Sequence, residues 1–330
     1  MSLLPKHGKI DYFNSMPKVS YVCPVYNKIK YLPHVLDSIY NQKGTFEKEY
    51  IFINDGSNDN SLEFLKEYTK NKENTTILSQ KNKGPASATQ NGIKHSKGNY
   101  IKLVGGDDIM SPNCTETLLE VITKTSSVGV FSKYKEFNKF EDIIFKEKRT
   151  ENIKTIHKPL KKTLQSNYSG TTPNLYCNKA IKQSGGCYDD LFVEDFSLVL
   201  RLSLFGSFSF IDNISSFGPA EDKNRIMLGK KNQLLHDYNA AIYLFLTEHS
   251  NISSKLRSIA CIKCLGRSEK WLRRELKKSF INEMNYMRIK YYITKADEKE
   301  FIKKSCEVFY KFSSYLVELE LRPSPLQFRL

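Results

Sequence analysis

The stretch "EYIFINDGSNDNSLEFLKEYTK", residues 49–70, carries strand, turn and helix in one run. "EYIFIN" is a short apolar segment of β-forming residues and reads as a buried strand. "SLEFLKEYTK" is an amphipathic helix. Between them lies "INDGSNDNS", Ile53–Ser61. Gly56 permits the tight turn, and Asp59, Asn60 or Ser61 can cap the helix, Asn60 with Glu63 at capping-box spacing. Turning and capping leave Asp55 unexplained: at the strand tip, its carboxylate can accept a hydrogen bond from a ligand N–H. The order of acidic residues required by an EF-hand is absent.

The same alternation continues on both sides. "VSYVC" (Val19–Cys23) is a strand, followed by a helical spacing of Leu32, Val35, Leu36 and Ile39. "TTILS", "PASATQNGIKHS" and "NYIKLV" then read as strand, helix and strand, and "PNCTETLLEVITKT" and "VGVFS" extend the series. This pattern predicts an α/β fold, a doubly wound, mostly parallel, Rossmann-like sheet. Ligands bind such sheets beyond the C-terminal strand ends, which selects Pro24–Lys28, Asn54–Asp59, the stretch after Ser79 and Gly105–Asp108. Residues 133–165 are lysine-rich and poorly periodic and are expected to form a mobile surface excursion. From about Lys230 the pattern is helical only. The expected organisation is an N-terminal extension (1–16), an α/β domain (17–222) and a basic helical region (223–330).

The chain has 330 residues, 40% hydrophobic and 26% charged, so a full core is expected and disorder is not. The net charge of +15 suggests an anionic partner. It is uneven: residues 223–304 hold 19 Lys/Arg against 8 Asp/Glu. No apolar run approaches bilayer-spanning length, and the N-terminus lacks a signal peptide's apolar core. A cytoplasmic protein, or one peripheral on the inner face of the membrane, is expected. "KWLRRELKKSF" could lie on an anionic membrane with Trp271 and Leu272 opposed to its charges, or be an ordinary solvated helix face. Seven scattered cysteines do not suggest a disulfide framework, and Cys261 and Cys264 lack the second ligand pair of a zinc site. Nucleic-acid binding is disfavoured by the absence of zinc pairs, helix-turn-helix and RNP-type signals.

Three further segments carry chemistry. In "NKGPASATQNG", Gly84 and Pro85 open a helix whose free N–H groups can hold phosphate. "GGDD" follows the fourth strand. Its carboxylates, Asp107 and Asp108, suit Mg²⁺ or Mn²⁺ bridging a diphosphate, and glycines there let a ligand approach the backbone. The alternative is a glycine turn with Asp108 or Ser111 capping the next helix. In "YDDLFVEDFSLVLRL", Val193, Phe196, Leu200 and Leu204 define a helical face with Glu194 and Asp195 in the first turn. Acids are favoured there by the helix dipole, and either could serve as a general base.

Together, "PVYN" (Pro24–Asn27), "NDGSNDNS", "NKGPASATQNG", "GGDDIMSP" and "GGCYDDLFVEDFSLVLRL", in this order from about Pro17 to Gly206, resemble an inverting family 2 glycosyltransferase of the GT-A fold. The resemblance implies a nucleotide-sugar donor, usually UDP-linked, and a glycan or polyprenyl-linked acceptor. By it, Pro24, Val25, Tyr26 and Asp55 cradle the base. Lys28, Gly84, Gly106, Asp107 and Asp108 complete the donor site, with Asp107 as ligand to Mn²⁺ or Mg²⁺. Asp195 is then the catalytic base and Glu194 an acceptor-side residue. Three positions depart from the family pattern. Gly105 stands where the first acid of D-x-D falls, Ala88-Thr89-Gln90 replaces A-R-N, and "ISSFGPAEDKNRI" has no histidine, leaving Glu221 or Asp222 as substitutes. The rival readings are an inactive scaffold of the same fold, nucleotidyl transfer, and a basic nucleic-acid-binding protein.

Overall fold

The computed structural model of the chain describes residues 16–145, 152–166, 172–220, 231–275, 277, 282–294 and 297–311. Strand β1 (Lys18–Val25) is flanked in parallel by β2 (Glu47–Asn54) and β4 (Tyr100–Leu103), and β3 (Thr75–Ser79) extends the parallel run beyond β2. Past β4 the sheet becomes mixed. β8 (Asn174–Cys177) is antiparallel to both β4 and β6 (Gly129–Phe137). β6 is parallel to β9 (Phe208–Pro219), against which β5 (Ile109–Met110) and β7 (Ile153–Ile156) run antiparallel. The α/β architecture expected from the alternating pattern is therefore present.

Alternation along β1 builds the two faces of the sheet. Val19, Tyr21, Cys23 and Val25 enter one core with helices α1 (Leu32–Tyr40), α2 (Ser61–Thr69) and α4 (Cys114–Thr125). Val22 faces the other side, with Ile51 and Ile53 of β2, where α3 (Pro85–His95), α6 (Asn178–Ser184) and α7 (Glu194–Leu202) pack. α3 comes so close to the sheet at Gly92 that a Cβ there would stand 2.3 Å from Val22 Cγ1.

A third core joins α5 (Leu160–Gln165) and α7 to the helices α8 (Lys231–Glu248), α9 (Ser254–Glu275), α10 (Glu283–Thr294) and α11 (Glu298–Lys311). α7 is thus buried on two sides: Phe196 and Leu200 face the helices, while Leu198, Val199 and Leu202 face the sheet. Cys261 and Cys264 lie in this third core, and all seven cysteines are buried free thiols.

Three sequence expectations need correction. The described residues of the stretch 133–165, namely 133–145 and 152–165, are built into the fold. β6 runs on to Phe137, β7 pairs with β9, and α5 enters the third core. Its periodicity is hidden because the β6–β9 register shifts between Phe131 and Tyr134, which breaks a simple alternation. In "KWLRRELKKSF", Trp271 and Leu272 are 2% and 1% exposed, and the indole N–H donates to Asn232 Oδ1 at 2.5 Å. Those apolar groups belong to the core and cannot enter a membrane. The Asn60–Glu63 capping box is not formed: the Asn60 side chain makes no capping bond, and Asp59 Oδ1 accepts the Ser61 N–H at 3.0 Å instead. Glu221 and Asp222 lie outside the described residues. No described helix is long and apolar enough to cross a membrane.

Candidate active site

The loops leaving β1 and β2 are stitched together by side chains. Asn27, at φ 53°, donates its N–H to Ser57 Oγ at 3.2 Å and accepts the Asn58 N–H at 2.8 Å. The Lys28 N–H donates to Ser61 Oγ at 2.8 Å. The serines and asparagines of "NDGSNDNS" therefore shape the loop that carries Pro24 to Lys28. Asp55, 3% exposed, fastens a third loop. Its carboxylate accepts Gln80 Nε2 at 2.9 Å, the Lys83 N–H at 2.9 Å and the Gly84 N–H at 2.8 Å. An ionised carboxylate offers about four acceptor directions, so little capacity remains for a ligand.

At the end of β4, the two aspartates diverge. Asp107 pairs with the Lys28 ammonium at 2.5 Å, the side chains 17% and 6% exposed respectively. Asp108 turns inward and accepts the Thr172 hydroxyl, and the N-cap position of α4 is Asn113. Thr172 Oγ1 in turn accepts the Gly105 N–H at 2.8 Å. Beneath them lies Lys102, fully buried in β4, donating to the Thr172 carbonyl and, at 3.0 Å, to that of Asn174. Burial lowers its pKa, opposed by nearby Cys114 and Asp108. A Cβ on Gly105 would stand 2.7 Å from Asp108 Oδ2 and 3.5 Å from Asp107 Oδ1. A side chain there would crowd Asp108 and meet Asp107 at ordinary contact distance. Gly106 is equally constrained, since its Cβ would lie 2.9 Å from the Pro24 carbonyl oxygen.

Among the described residues, no three His, Cys, Asp or Glu side chains gather as a metal cage. The donor set at this wall is one carboxylate, Asp107, already neutralised by Lys28. That set fits Mg²⁺ or Mn²⁺ only when a diphosphate and water supply the remaining oxygens, as these ions tolerate.

A further wall is the start of α7. Asp195 Oδ1 accepts the Phe196 N–H at 2.6 Å, a carboxylate on the positive end of the helix. Burial pushes the Glu194 carboxyl up to about 8, the neighbouring Asp195 charge adds to this, and a backbone hydrogen bond partly opposes it. Glu194 thus holds its proton more readily than an exposed carboxyl does. The approach to α7 is held from α8: Asp237, 1% exposed, accepts the Phe192 N–H at 2.7 Å. Tyr238 packs edge-on against Phe196 at 4.9 Å between centroids and lies under the Arg267 guanidinium at 5.1 Å.

These walls enclose one cavity of about 340 Å³. It brings together Pro24, Val25, Tyr26, Lys28 and Asp55 with Gly106, Asp107 and Asp108, and sets Glu194 and Asp195 in the same space. Gly84 does not line it; its N–H is engaged by Asp55. Sequence reasoning missed Tyr134, Pro173, Leu234 and Tyr238, which also line the cavity. Thr89, noted only as a departure from A-R-N, is a lining residue, and its buried Oγ1 has no hydrogen-bond partner. Its neighbour Gln90 clamps the glycine corner before α7, donating to the Gly185 carbonyl and accepting the Cys187 N–H, both at 3.0 Å.

Comparison with known proteins places the chain in a family. GlyG, a glycosyltransferase of Streptococcus pneumoniae serotype 4, is 35% identical over 122 residues, covering 36% of this chain and 40% of GlyG. Hyaluronan synthase of Pasteurella multocida is 33% identical over 119 residues, 36% of this chain and 12% of that enzyme. The matched stretch spans less than half the length of either relative. S. aureus TarS 1–349 in complex with UDP-GlcNAc superposes with a TM-score of 0.63 at 16% identity, covering 89% of this chain and 92% of the other. At that identity the likeness is one of fold. Residues 20–184, half of the chain, match the family described as Glycosyl transferase family 2, and the chain belongs to it.

Proposed function

We propose that the protein transfers a sugar from a nucleotide-linked donor, UDP-linked by the family resemblance, to a hydroxyl of a glycan or lipid-linked acceptor, with inversion. The observation that carries this reading is the shared cavity. The paired Lys28 and Asp107 line the same space as the Glu194–Asp195 pair, so a donor's phosphates and an acceptor's hydroxyl can be held together there.

In this reading Pro24–Tyr26 and Asp55 line the nucleobase end. The Lys28 ammonium is available to phosphate oxygens. Gly105 and Gly106 leave room for the diphosphate against the backbone. A Mg²⁺ or Mn²⁺ ion held by Asp107 together with the diphosphate would supply Lewis-acid charge stabilisation. Burial and the neighbouring Asp195 raise the Glu194 carboxyl, and the reading gives Asp195 the role of base. Asp195 takes the acceptor hydroxyl's proton as that oxygen bonds to the anomeric carbon. The bond from that carbon to the phosphate oxygen breaks in the same step, and the nucleoside diphosphate leaves with the electron pair. One displacement inverts the centre.

The test is a panel of nucleotide sugars with Mn²⁺, read by thermal stabilisation and donor hydrolysis. At least one UDP-sugar is expected to stabilise the protein and to be turned over. Failure of every donor to bind would overturn the assignment.

A further inference from the structure

Helix α10 presents an apolar face to solvent. Tyr286, Ile289, Tyr292 and Ile293 are 66%, 51%, 51% and 78% exposed, whereas Met284 and Tyr291 on the same helix are buried. At about 100° per residue the four exposed side chains fall within an arc roughly 120° wide, the width of an amphipathic stripe.

A cationic row runs beside it. Lys263, Gly266, Lys270 and Arg274 share one face of α9. Gly266 marks where α10 abuts that face, the Arg288 guanidinium lying 3.9 Å from the place a Cβ on Gly266 would take. Lys263, Lys270 and Arg274 are exposed, as is Lys290 on the other flank of the apolar stripe. The cations crowd one another: burial lowers the Lys263 pKa, and Arg267 and Lys270 lower it further. An apolar stripe bordered by cations on both sides favours an anionic surface with a hydrocarbon layer beneath it.

We propose that α10 and the adjoining face of α9 dock the protein on an anionic lipid bilayer. The four apolar side chains enter the headgroup boundary, where tyrosine is favoured. Lys263, Lys270, Arg274, Arg288 and Lys290 meet lipid phosphates. A second copy of the chain is the weaker occupant. A two-fold contact through this face would set Lys263, Lys270 and Arg274 of one copy against the same row of the other, with Glu283 the one carboxylate that α10 carries. The wider charge balance points the same way, with 19 Lys/Arg against 8 Asp/Glu over residues 223–304. The cations of the "KWLRRELKKSF" stretch keep a membrane role here, while the apolar contact comes from α10 in place of the buried Trp271 and Leu272. The proposal involves neither the cavity nor the donor, so it stands or falls apart from the transfer reaction.

The experiment is flotation of the full chain with vesicles of phosphatidylcholine alone and with about 30 mol% phosphatidylglycerol, the anionic lipid supplying the surface potential. Binding to the anionic vesicles is expected, with release in roughly 1 M salt, where the screening length is only a few ångströms. The triple variant Tyr286→Ser/Ile289→Ser/Ile293→Ser is expected to lose at least about tenfold in partition, since apolar burial drives insertion. Its substituted side chains are exposed, so circular dichroism should stay that of the parent. Lys263→Glu/Lys270→Glu is expected to lose binding without touching the apolar stripe. Equal flotation with neutral vesicles, or none with anionic ones, would overturn the proposal. So would a triple variant that floats like the parent, or one that converts a dimer to a monomer with flotation unchanged.

Discussion

Replacing Asp237 by alanine tests whether the helical region sets the geometry of the acidic pair. Asp237 is 1% exposed on α8, and three donors converge on its carboxylate. Oδ2 accepts the Phe192 N–H at 2.7 Å, and Oδ1 accepts Gln233 Nε2 and His236 Nδ1, each at 2.7 Å. Alanine leaves these donors in a buried site. An abandoned buried donor costs about 1–3 kcal/mol, and losing one partner of a buried charged cluster costs about 3–5 kcal/mol. With some relaxation, a loss of about 3–5 kcal/mol is expected from urea unfolding. Asp237→Asn can still accept the Phe192 N–H through its amide oxygen and should lose about half as much. Because Phe192 and Val193 lead directly into Glu194 and Asp195, turnover should fall in both variants while donor affinity, set at the other wall, holds. An alanine variant within about 0.5 kcal/mol of the parent, the range of ordinary surface changes, would refute the reasoning.

Other expectations follow from the two walls. Glu194 titrates at about 8 in the folded protein against an ordinary 4.5, so the folded state binds the extra proton between those values. Stability should therefore fall as pH rises from about 5 to 8; Glu194→Gln should flatten that decline in urea titrations, and an unchanged slope would remove Glu194 as its source. Asp195→Asn should lower transfer by about 10²-fold or more while leaving UDP affinity within about twofold, as expected of a general base. Mn²⁺ alone should leave the melting temperature unchanged, whereas UDP and Mn²⁺ together should raise it, because Asp107 offers the ion one carboxylate and the diphosphate would supply further oxygens. Thr89→Val removes the unpartnered hydroxyl at nearly constant volume; weaker donor or acceptor binding with unchanged stability is expected, read by titration calorimetry.

The parallel half of the fold was legible because its strands are short apolar runs bounded by polar turns, as at Val19–Cys23 and Glu49–Asn54. The mixed half was harder. In β6 a register shift removes the alternation that marks a strand, so a run of lysines looked like a loop although Phe131 and Phe137 are buried on either side of it. The helical region was legible as helices, but not as a partner of α7, because periodicity shows that a helix has an apolar face and not what covers it. Trp271 illustrates the point. Its spacing suits a membrane or a core equally, and only the packing against Phe309, 4.7 Å between ring centroids, decides.

The site divides along the same line. Residues at strand tips were recoverable because strand ends are where such sheets bind ligands. Residues brought in by tertiary contact were not: Asp237, Leu234 and Tyr238 sit on one helix whose sequence carries no motif. Lys102 did leave a signal, a lysine inside the apolar strand "YIKLV", where a charge needs a structural reason. Its position under Thr172 and Asp108 supplies that reason. It also bears on Gly105. With Asp108 drawn inward through Thr172 and Asp107 matched to Lys28, a further acid at position 105 would put a third carboxylate against two that already have partners. The glycine, standing where the family pattern has the first acid of D-x-D, is best read with Lys28: the wall trades one carboxylate for close backbone approach and keeps a buried ammonium where donor phosphates would lie. Lys28→Met therefore has an expected sign in two assays. It frees Asp107 and should strengthen Mn²⁺ binding in the presence of UDP, while UDP binding without metal should weaken. A variant in which both moved together would mean that Lys28 and the metal do not share Asp107.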